Sequence, residues 1–113
     1  MRFAVADDVL LARKAVEKLI LEWDRDSTVC CSCDNGDEVL KVLEDQKVDV
    51  LVTDIRMPGL NGIALSEVVR QRFPSVDVVL VSGYATFDYA RAAHHNGVRD
   101  YLLKPLKRED LFH

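Results

Sequence analysis

Four short apolar runs of this chain each end in a polar residue that can take part in phosphate or metal chemistry. The runs and the residues that follow them are Arg2–Ala6 before Asp7 and Asp8, Val48–Thr53 before Asp54, Val76–Val81 before Ser82, and Val98–Leu103 before Lys104. Such runs, separated by helical patterns, are typical of buried parallel strands. Because ligands of an open α/β sheet bind at the carboxyl ends of its strands, we expect these side chains to share one cleft.

Helical patterns alternate with the strands along the whole chain. A further strand is indicated at Thr28–Cys33, and the helices are predicted at Val9–Trp23, Asp37–Glu44, Gly62–Arg72, Thr86–Asn96 and Lys107–His113, the last being short. Five β-α units with right-handed crossovers are too few for a (β/α)8 barrel. The order predicts an α/β fold, a flavodoxin-like doubly wound five-stranded parallel sheet of order 2-1-3-4-5. Its topological switch point would lie between the first and third strands.

Composition bounds the class of protein. The 113 residues suffice for a single domain, 1–113, and the net charge of −4 argues against a nucleic-acid-binding surface within it. No run reaches the length of a membrane span and the first residues do not resemble a signal peptide, so we expect a cytoplasmic protein. Accordingly, Cys30, Cys31 and Cys33 are expected to be reduced thiols.

The polar residues at the strand ends suit a divalent cation and a phosphoryl group. Asp7, Asp8 and Asp54 would repel one another unless one is protonated or a cation lies among them, and hard oxygen ligands favour Mg²⁺. Asp8 could instead cap the first helix. A metal-bound carboxylate can act as a nucleophile toward phosphorus, with Ser82 and Lys104 facing the phosphoryl oxygens.

Four motifs in the same order make the pattern recognisable. They are Asp7–Asp8, Asp54-Ile-Arg-Met-Pro-Gly-Leu-Asn-Gly62, Ser82–Gly83 and Tyr101-Leu-Leu-Lys104-Pro105. Over its whole length the chain resembles the receiver domains of two-component response regulators. The resemblance implies that a sensor histidine kinase donates a phosphoryl group to this domain in a Mg²⁺-dependent reaction. It also implies a domain that catalyses only its own phosphorylation and dephosphorylation and is not otherwise an enzyme.

The resemblance assigns a role to each acidic residue. Asp54 corresponds to the phosphoacceptor and is also a metal ligand. Asp8 corresponds to a direct metal ligand, and Asp7 to one that acts through water. The backbone carbonyl of Arg56 would complete the protein ligands. Val9 departs from many receivers, which have Glu after the acid pair, but it lies outside this ligand set.

The remaining motif residues correspond to the phosphate contacts and the switch of the family. Ser82 and Lys104 resemble the hydroxyl and the lysine that contact the phosphoryl group. Ser82 and Tyr101 together resemble the switch pair. The peptide bond between Lys104 and Pro105 is expected to be cis.

A finer resemblance concerns receivers that precede AraC-type helix-turn-helix domains. It is carried by Ser82-Gly-Tyr-Ala-Thr-Phe87-Asp-Tyr-Ala90 and by Gly97-Val-Arg-Asp-Tyr-Leu-Leu-Lys104-Pro105. It implies control of transcription through a DNA-binding effector domain that lies beyond this chain, with DNA contacted only by that domain. Any homodimer is expected to form through the face of the fourth helix and fifth strand.

Other functions stay open at this point. The chain could be a stand-alone receiver, or a degenerate one that only binds. A phosphatase of the haloacid dehalogenase type also uses an Asp nucleophile and Mg²⁺, but it needs a second Asp where this chain has Arg56. A flavin-binding flavodoxin would need a phosphate loop after the first strand, where Asp7–Asp8–Val9 would repel a phosphate.

Overall fold

Strands and helices alternate along the part of the chain that the computed structural model describes, residues 1–83, 91, 94–95 and 97–104. The elements are β1 (Arg2–Ala6), α1 (Leu10–Trp23), β2 (Thr28–Cys33), α2 (Gly36–Asp45), β3 (Val50–Asp54), α3 (Gly62–Arg72), β4 (Asp77–Ser82) and β5 (Asp100–Leu103). Residues 91 and 94–95 are also helical. The described residues do not include the predicted last helix, so its length is not tested. They also do not include the peptide bond between Lys104 and Pro105.

The five strands form one parallel sheet of order β2-β1-β3-β4-β5, which confirms the predicted topology. In the centre of the sheet, Val5 lies opposite Val52, and Val52 lies opposite Val79. Asp54 and Ser82 are the last residues of their strands, one position beyond the predicted ends. The candidate site residues Asp54 and Ser82 therefore lie at the ends of strands whose central residues are apolar.

Helices cover both faces of the sheet because successive strand residues point to opposite sides. Val16 and Ile20 of α1 pack on one face against a cluster that includes Phe3, Val5, Val52, Val79 and Val81. The other face carries α2 and α3, in a cluster that includes Ala4, Leu51, Leu80, Val39, Leu65 and Val69. Within the described residues, no helix has the length and apolar character needed to cross a bilayer.

One expectation about the cysteines is wrong. Cys31 and Cys33 are both buried and are joined by a disulfide, whereas reduced thiols were expected. The physical reason is the two-residue period of a strand, which places these two side chains beside each other on one face of β2. Cys30 is partly buried, packs against the same core cluster and is a free thiol, as expected.

Candidate functional site

The carboxyl ends of β1 and β3 bring three carboxylates together at the switch point of the sheet. Oxygen atoms of Asp7, Asp8 and Asp54 all lie within 4.8 Å of one another. The crevice exists because α1 leaves β1 on one face of the sheet while α3 follows β3 on the other. The convergence expected from the sequence is therefore present in the structure.

Asp7 is the most firmly held of the three acids. It is only 3% exposed, and its Oδ2 accepts a hydrogen bond of 2.7 Å from Lys104 Nζ. Its Oδ1 accepts from the Val9 amide at 2.9 Å, and its own amide donates to the Cys33 carbonyl at 3.1 Å. Its carbonyl accepts from Arg13 Nη1 at 2.9 Å. All four polar groups of Asp7 thus have partners, as a buried residue requires.

Asp8 has the opposite surroundings, because its side chain is exposed at the mouth of the crevice. The expectation that Asp8 could cap α1 is wrong. The cap position is Val9, which has no side-chain hydrogen bond, and Val9 donates its own amide to Asp7. The Asp8 carboxylate is therefore not used for capping and faces the groove between β1 and the loop after β3.

Asp54 ends β3 and is 8% exposed. Its Oδ1 accepts a hydrogen bond of 2.9 Å from the Ile55 amide, and its Oδ2 lies 3.5 Å from Lys104 Nζ. Burial raises the pKa of the Asp54 carboxyl, and the negative charge of Asp7 raises it further, against the opposing effect of Lys104. The crevice therefore disfavours the ionised form of Asp54 relative to a carboxyl group in water.

Lys104 follows β5 and supplies the positive charge within this cluster. Its amide donates to the Ser82 carbonyl at 2.8 Å, which extends the pairing of β4 and β5 to the site. Burial lowers the pKa of the Lys104 ammonium, but its contacts with Asp7 and Asp54 outweigh burial and raise that pKa above its ordinary value. The ammonium thus compensates part of the charge of the two buried carboxylates.

Gly62 allows the loop after β3 to close against the carboxyl end of that strand. The Gly62 amide donates to the Ile55 carbonyl at 2.8 Å. A Cβ at position 62 would lie 2.2 Å from the Asp54 carbonyl oxygen, so no other residue fits without moving the backbone. Asn61 then caps α3, since its Oδ1 accepts from the Ala64 amide at 2.9 Å.

The other predicted site residues lie around this centre. Ser82 is buried at the end of β4, beside Lys104. Tyr101 is half-buried on β5, opposite Leu80, and packs against the core. The side chain of Arg56 is exposed and lines an open groove of about 410 Å³. Their positions agree with the expected arrangement, and their roles stay predictions.

The donor set of the crevice consists of oxygen atoms from three carboxylates, two of them nearly buried. Clustered carboxylates of this kind bind hard cations such as Mg²⁺ in preference to softer metals. The residues present therefore fit a magnesium ion.

Comparison with known proteins identifies the family. A family model described as the response regulator receiver domain matches residues 3–113. The chain belongs to this family. Its receiver fold is also that of the solved receiver domain of a putative NarL response regulator from Mycobacterium tuberculosis. That structure is 28% identical, has a TM-score of 0.88, and matches over 97% of this chain and 88% of the other.

Two relatives show the range of proteins to which this receiver is similar. The DNA-binding transcriptional regulator NtrC of Salmonella typhimurium is 42% identical over 67% of this chain and 16% of its own length. The sensory transduction protein LytT of Oceanobacillus iheyensis is 34% identical over 93% of this chain and 42% of its own length. The receiver thus spans less than half the length of these relatives. Neither name singles out AraC-type regulators, so the finer resemblance stays a prediction.

Reasoning from the sequence missed two residues of this receiver site. Arg13 contacts the backbone of Asp7 from α1, but its place among other charged residues of a helix gave no signal of that contact. Gly62 was predicted to begin a helix and to end the motif that starts at Asp54, but its contact with the Asp54 backbone was not predicted. Its distance of eight positions from Asp54 is the signal that could have revealed the close approach of the two backbones.

Proposed function

We propose that this receiver domain accepts a phosphoryl group on Asp54 from the phosphohistidine of a sensor histidine kinase. One observation carries the proposal, the convergence of three carboxylates and one ammonium at the carboxyl ends of three strands, β1, β3 and β5. A carboxylate nucleophile that is nearly buried, and that has compensating positive charge beside it, suits transfer of a highly charged group.

The proposed chemistry balances within this site. A carboxylate oxygen of Asp54 attacks phosphorus and forms an O–P bond, while the P–N bond of the donor breaks and its electron pair returns to the imidazole, which takes up a proton. Later attack by water on phosphorus restores the carboxylate and releases inorganic phosphate. Asp54 must be ionised for the first step. Lys104, which lowers the raised pKa of Asp54, favours that form.

Mg²⁺ is the proposed cofactor. Asp8 and Asp54 would hold it directly, Asp7 through water, and Arg56 through its backbone carbonyl. When bound, the ion supplies positive charge to the oxygen atoms of the phosphoryl group. Asp7 is already fixed by Lys104 and by backbone contacts, so it is suited to orient a water ligand.

Output is proposed to pass through Ser82, Lys104 and Tyr101. Ser82 and Lys104 gain charge-assisted contacts with the phosphoryl oxygens that the unmodified state lacks. Movement of Ser82 would open space beside β5, where Tyr101 packs half-buried against the core. We expect the Tyr101 ring to move inward on phosphorylation. NMR signals of the Tyr101 ring, recorded with and without beryllofluoride, test this movement. Unchanged Tyr101 signals beside changed signals from the Asp54 pocket would contradict it.

The wider role is proposed from the relatives. NtrC is named a DNA-binding transcriptional regulator, and this chain corresponds to a minor part of it. We propose that residues 1–113 form one receiver domain in the cytoplasm and that an effector domain beyond this chain binds DNA. A homodimer would use the face of the fourth helix and β5. The domain would change only its own phosphorylation state, and a stand-alone receiver is the alternative.

Intact mass spectrometry tests the proposed reaction. The chain is incubated with acetyl phosphate, with and without Mg²⁺, beside the Asp54→Asn and Asp8→Ala variants. We expect one phosphoryl group per wild-type chain only with Mg²⁺, and none on Asp54→Asn. The control is Asp26→Asn, which removes the same charge from an exposed loop and should be phosphorylated as wild type is. Equal uptake by Asp54→Asn would overturn the assignment.

A further inference from the structure

Arg13 is the residue at the acidic crevice for which the proposed phosphoryl transfer gives no role. It is half-buried on the first turn of α1, and its Nη1 donates to the Asp7 carbonyl at 2.9 Å. Its Nε is buried and has no hydrogen-bond partner among the described residues. A buried donor without a partner destabilises a fold, so the contact with Asp7 has to compensate for it.

The start of α1 lacks the usual means of fixing a strand-to-helix loop. The cap position is Val9, no side chain caps the helix, and its first turn contains no acidic residue. Two contacts of Asp7 fix this loop instead: its carboxylate accepts from the Val9 amide, and its carbonyl accepts from Arg13, which ties the loop to the helix. That carbonyl belongs to the peptide group that joins Asp7 to Asp8, so its direction also sets the direction in which Asp8 leaves the strand.

We propose that Arg13 is a positioning residue of the acidic site. Its guanidinium holds the peptide plane between Asp7 and Asp8 so that both carboxylates face one cation. This proposal rests on the Mg²⁺ site of the proposed function and adds to it a residue that does not contact the metal. A planar guanidinium is suited to this task because its fixed geometry aims the donor at the carbonyl.

The direction in which Mg²⁺ affinity changes when Arg13 is replaced distinguishes a positioning role from an effect of its charge alone. Arg13 is a cation beside a cation site, so by charge alone its removal would strengthen Mg²⁺ binding. Positioning predicts the reverse, since a loosened peptide no longer presents Asp7 and Asp8 together. For Arg13→Met we expect Mg²⁺ affinity, measured by calorimetric titration, to fall by about threefold to tenfold, the effect of losing one hydrogen bond.

A matched control and a measurement without metal complete the test. Lys14→Met removes a neighbouring charge on a side chain that is 65% exposed, and should not weaken Mg²⁺ binding. In the metal-free protein, the Val9 amide that donates to Asp7 should exchange with solvent about threefold to tenfold faster in Arg13→Met than in wild type. Arg13→Lys, which keeps the charge without the planar donor, should show a smaller loss of affinity and serves if Arg13→Met does not fold.

Results that overturn the Arg13 role differ from results that contradict the proposed function. Arg13→Met or Arg13→Lys that binds Mg²⁺ as tightly as wild type, or more tightly, overturns the positioning role while Asp54 can still accept phosphoryl. A wild-type chain that binds no Mg²⁺ contradicts the proposed function instead. In that case Val9 exchange in the metal-free protein decides whether Arg13 holds the loop, and an unchanged rate overturns the inference.

Discussion

Two loops form the acidic crevice, and they are held in place by different physical means. The β1 loop, residues 7–9, is held by hydrogen bonds and charge, because Asp7 contacts Lys104, Arg13 and the Val9 amide. The β3 loop, residues 55–61, is held by close backbone packing at Gly62 and by the Asn61 cap. Removal of a charged partner should therefore destabilise the β1 loop most, and added side-chain volume should destabilise the β3 loop most.

Loss of the ammonium should affect stability most. Lys104→Met leaves the buried Asp7 carboxylate without its charged partner, and removal of one member of a buried pair is strongly destabilising, by about 3 kcal/mol. Urea unfolding measures this loss. Adding Asp7→Asn to Lys104→Met should restore part of the stability, because the unpaired charge is then gone. A double variant less stable than Lys104→Met would show that charge does not hold the β1 loop.

Added volume at Gly62 should have the next largest effect. Gly62→Ala brings a methyl group against the Asp54 carbonyl, and overpacking of this kind destabilises by about 1–3 kcal/mol. The matched control is Gly83→Ala, since a Cβ there meets nothing within 4 Å. Equal unfolding midpoints in urea for the two variants would contradict the close approach at Gly62.

The cap of the β3 loop should have a smaller effect. Asn61→Ala removes the acceptor for the Ala64 amide, and loss of such a cap typically costs about 1 kcal/mol. Asn35→Ala is the comparison, because Asn35 caps α2 by the same contact to the Glu38 amide and is not a residue of the β3 loop. Both should lower the thermal midpoint, while only Asn61→Ala should also slow phosphoryl uptake. Equal uptake rates would show that the cap does not position Asp54.

The smallest expected effect is a gain of stability that depends on pH. Because the folded pKa of Asp54 is raised, its stabilising contribution is present below the ordinary carboxyl pKa and is lost as pH rises through the folded value. Metal-free Asp54→Asn should therefore be more stable than wild type at neutral pH, with a thermal midpoint a few degrees higher. The difference should shrink in acid. Asp26→Asn controls for net charge, and a difference that grows in acid would refute the sign of the shift.

Much of the fold and of the acidic cluster could be predicted from the sequence, because both follow from strand ends. Apolar runs locate buried strands, and topology then brings Asp7, Asp8 and Asp54 together. The contact of Arg13 could not be predicted, since a helical pattern does not show which charged side chain turns back to the preceding loop. Nor could the pairing of Cys31 with Cys33, which depends on local geometry within β2.

The most direct test of the central claim is to locate the phosphoryl group itself. Wild-type chain is incubated with acetyl phosphate and Mg²⁺, the acyl phosphate is reduced with borohydride, and the peptides are mapped by mass spectrometry. Reduction converts a phosphorylated Asp to homoserine, so the modified position can be read directly. We predict homoserine at position 54 alone, only with Mg²⁺. Modification at Asp7 or Asp8, or none at Asp54 under conditions in which the chain binds Mg²⁺, would contradict the account.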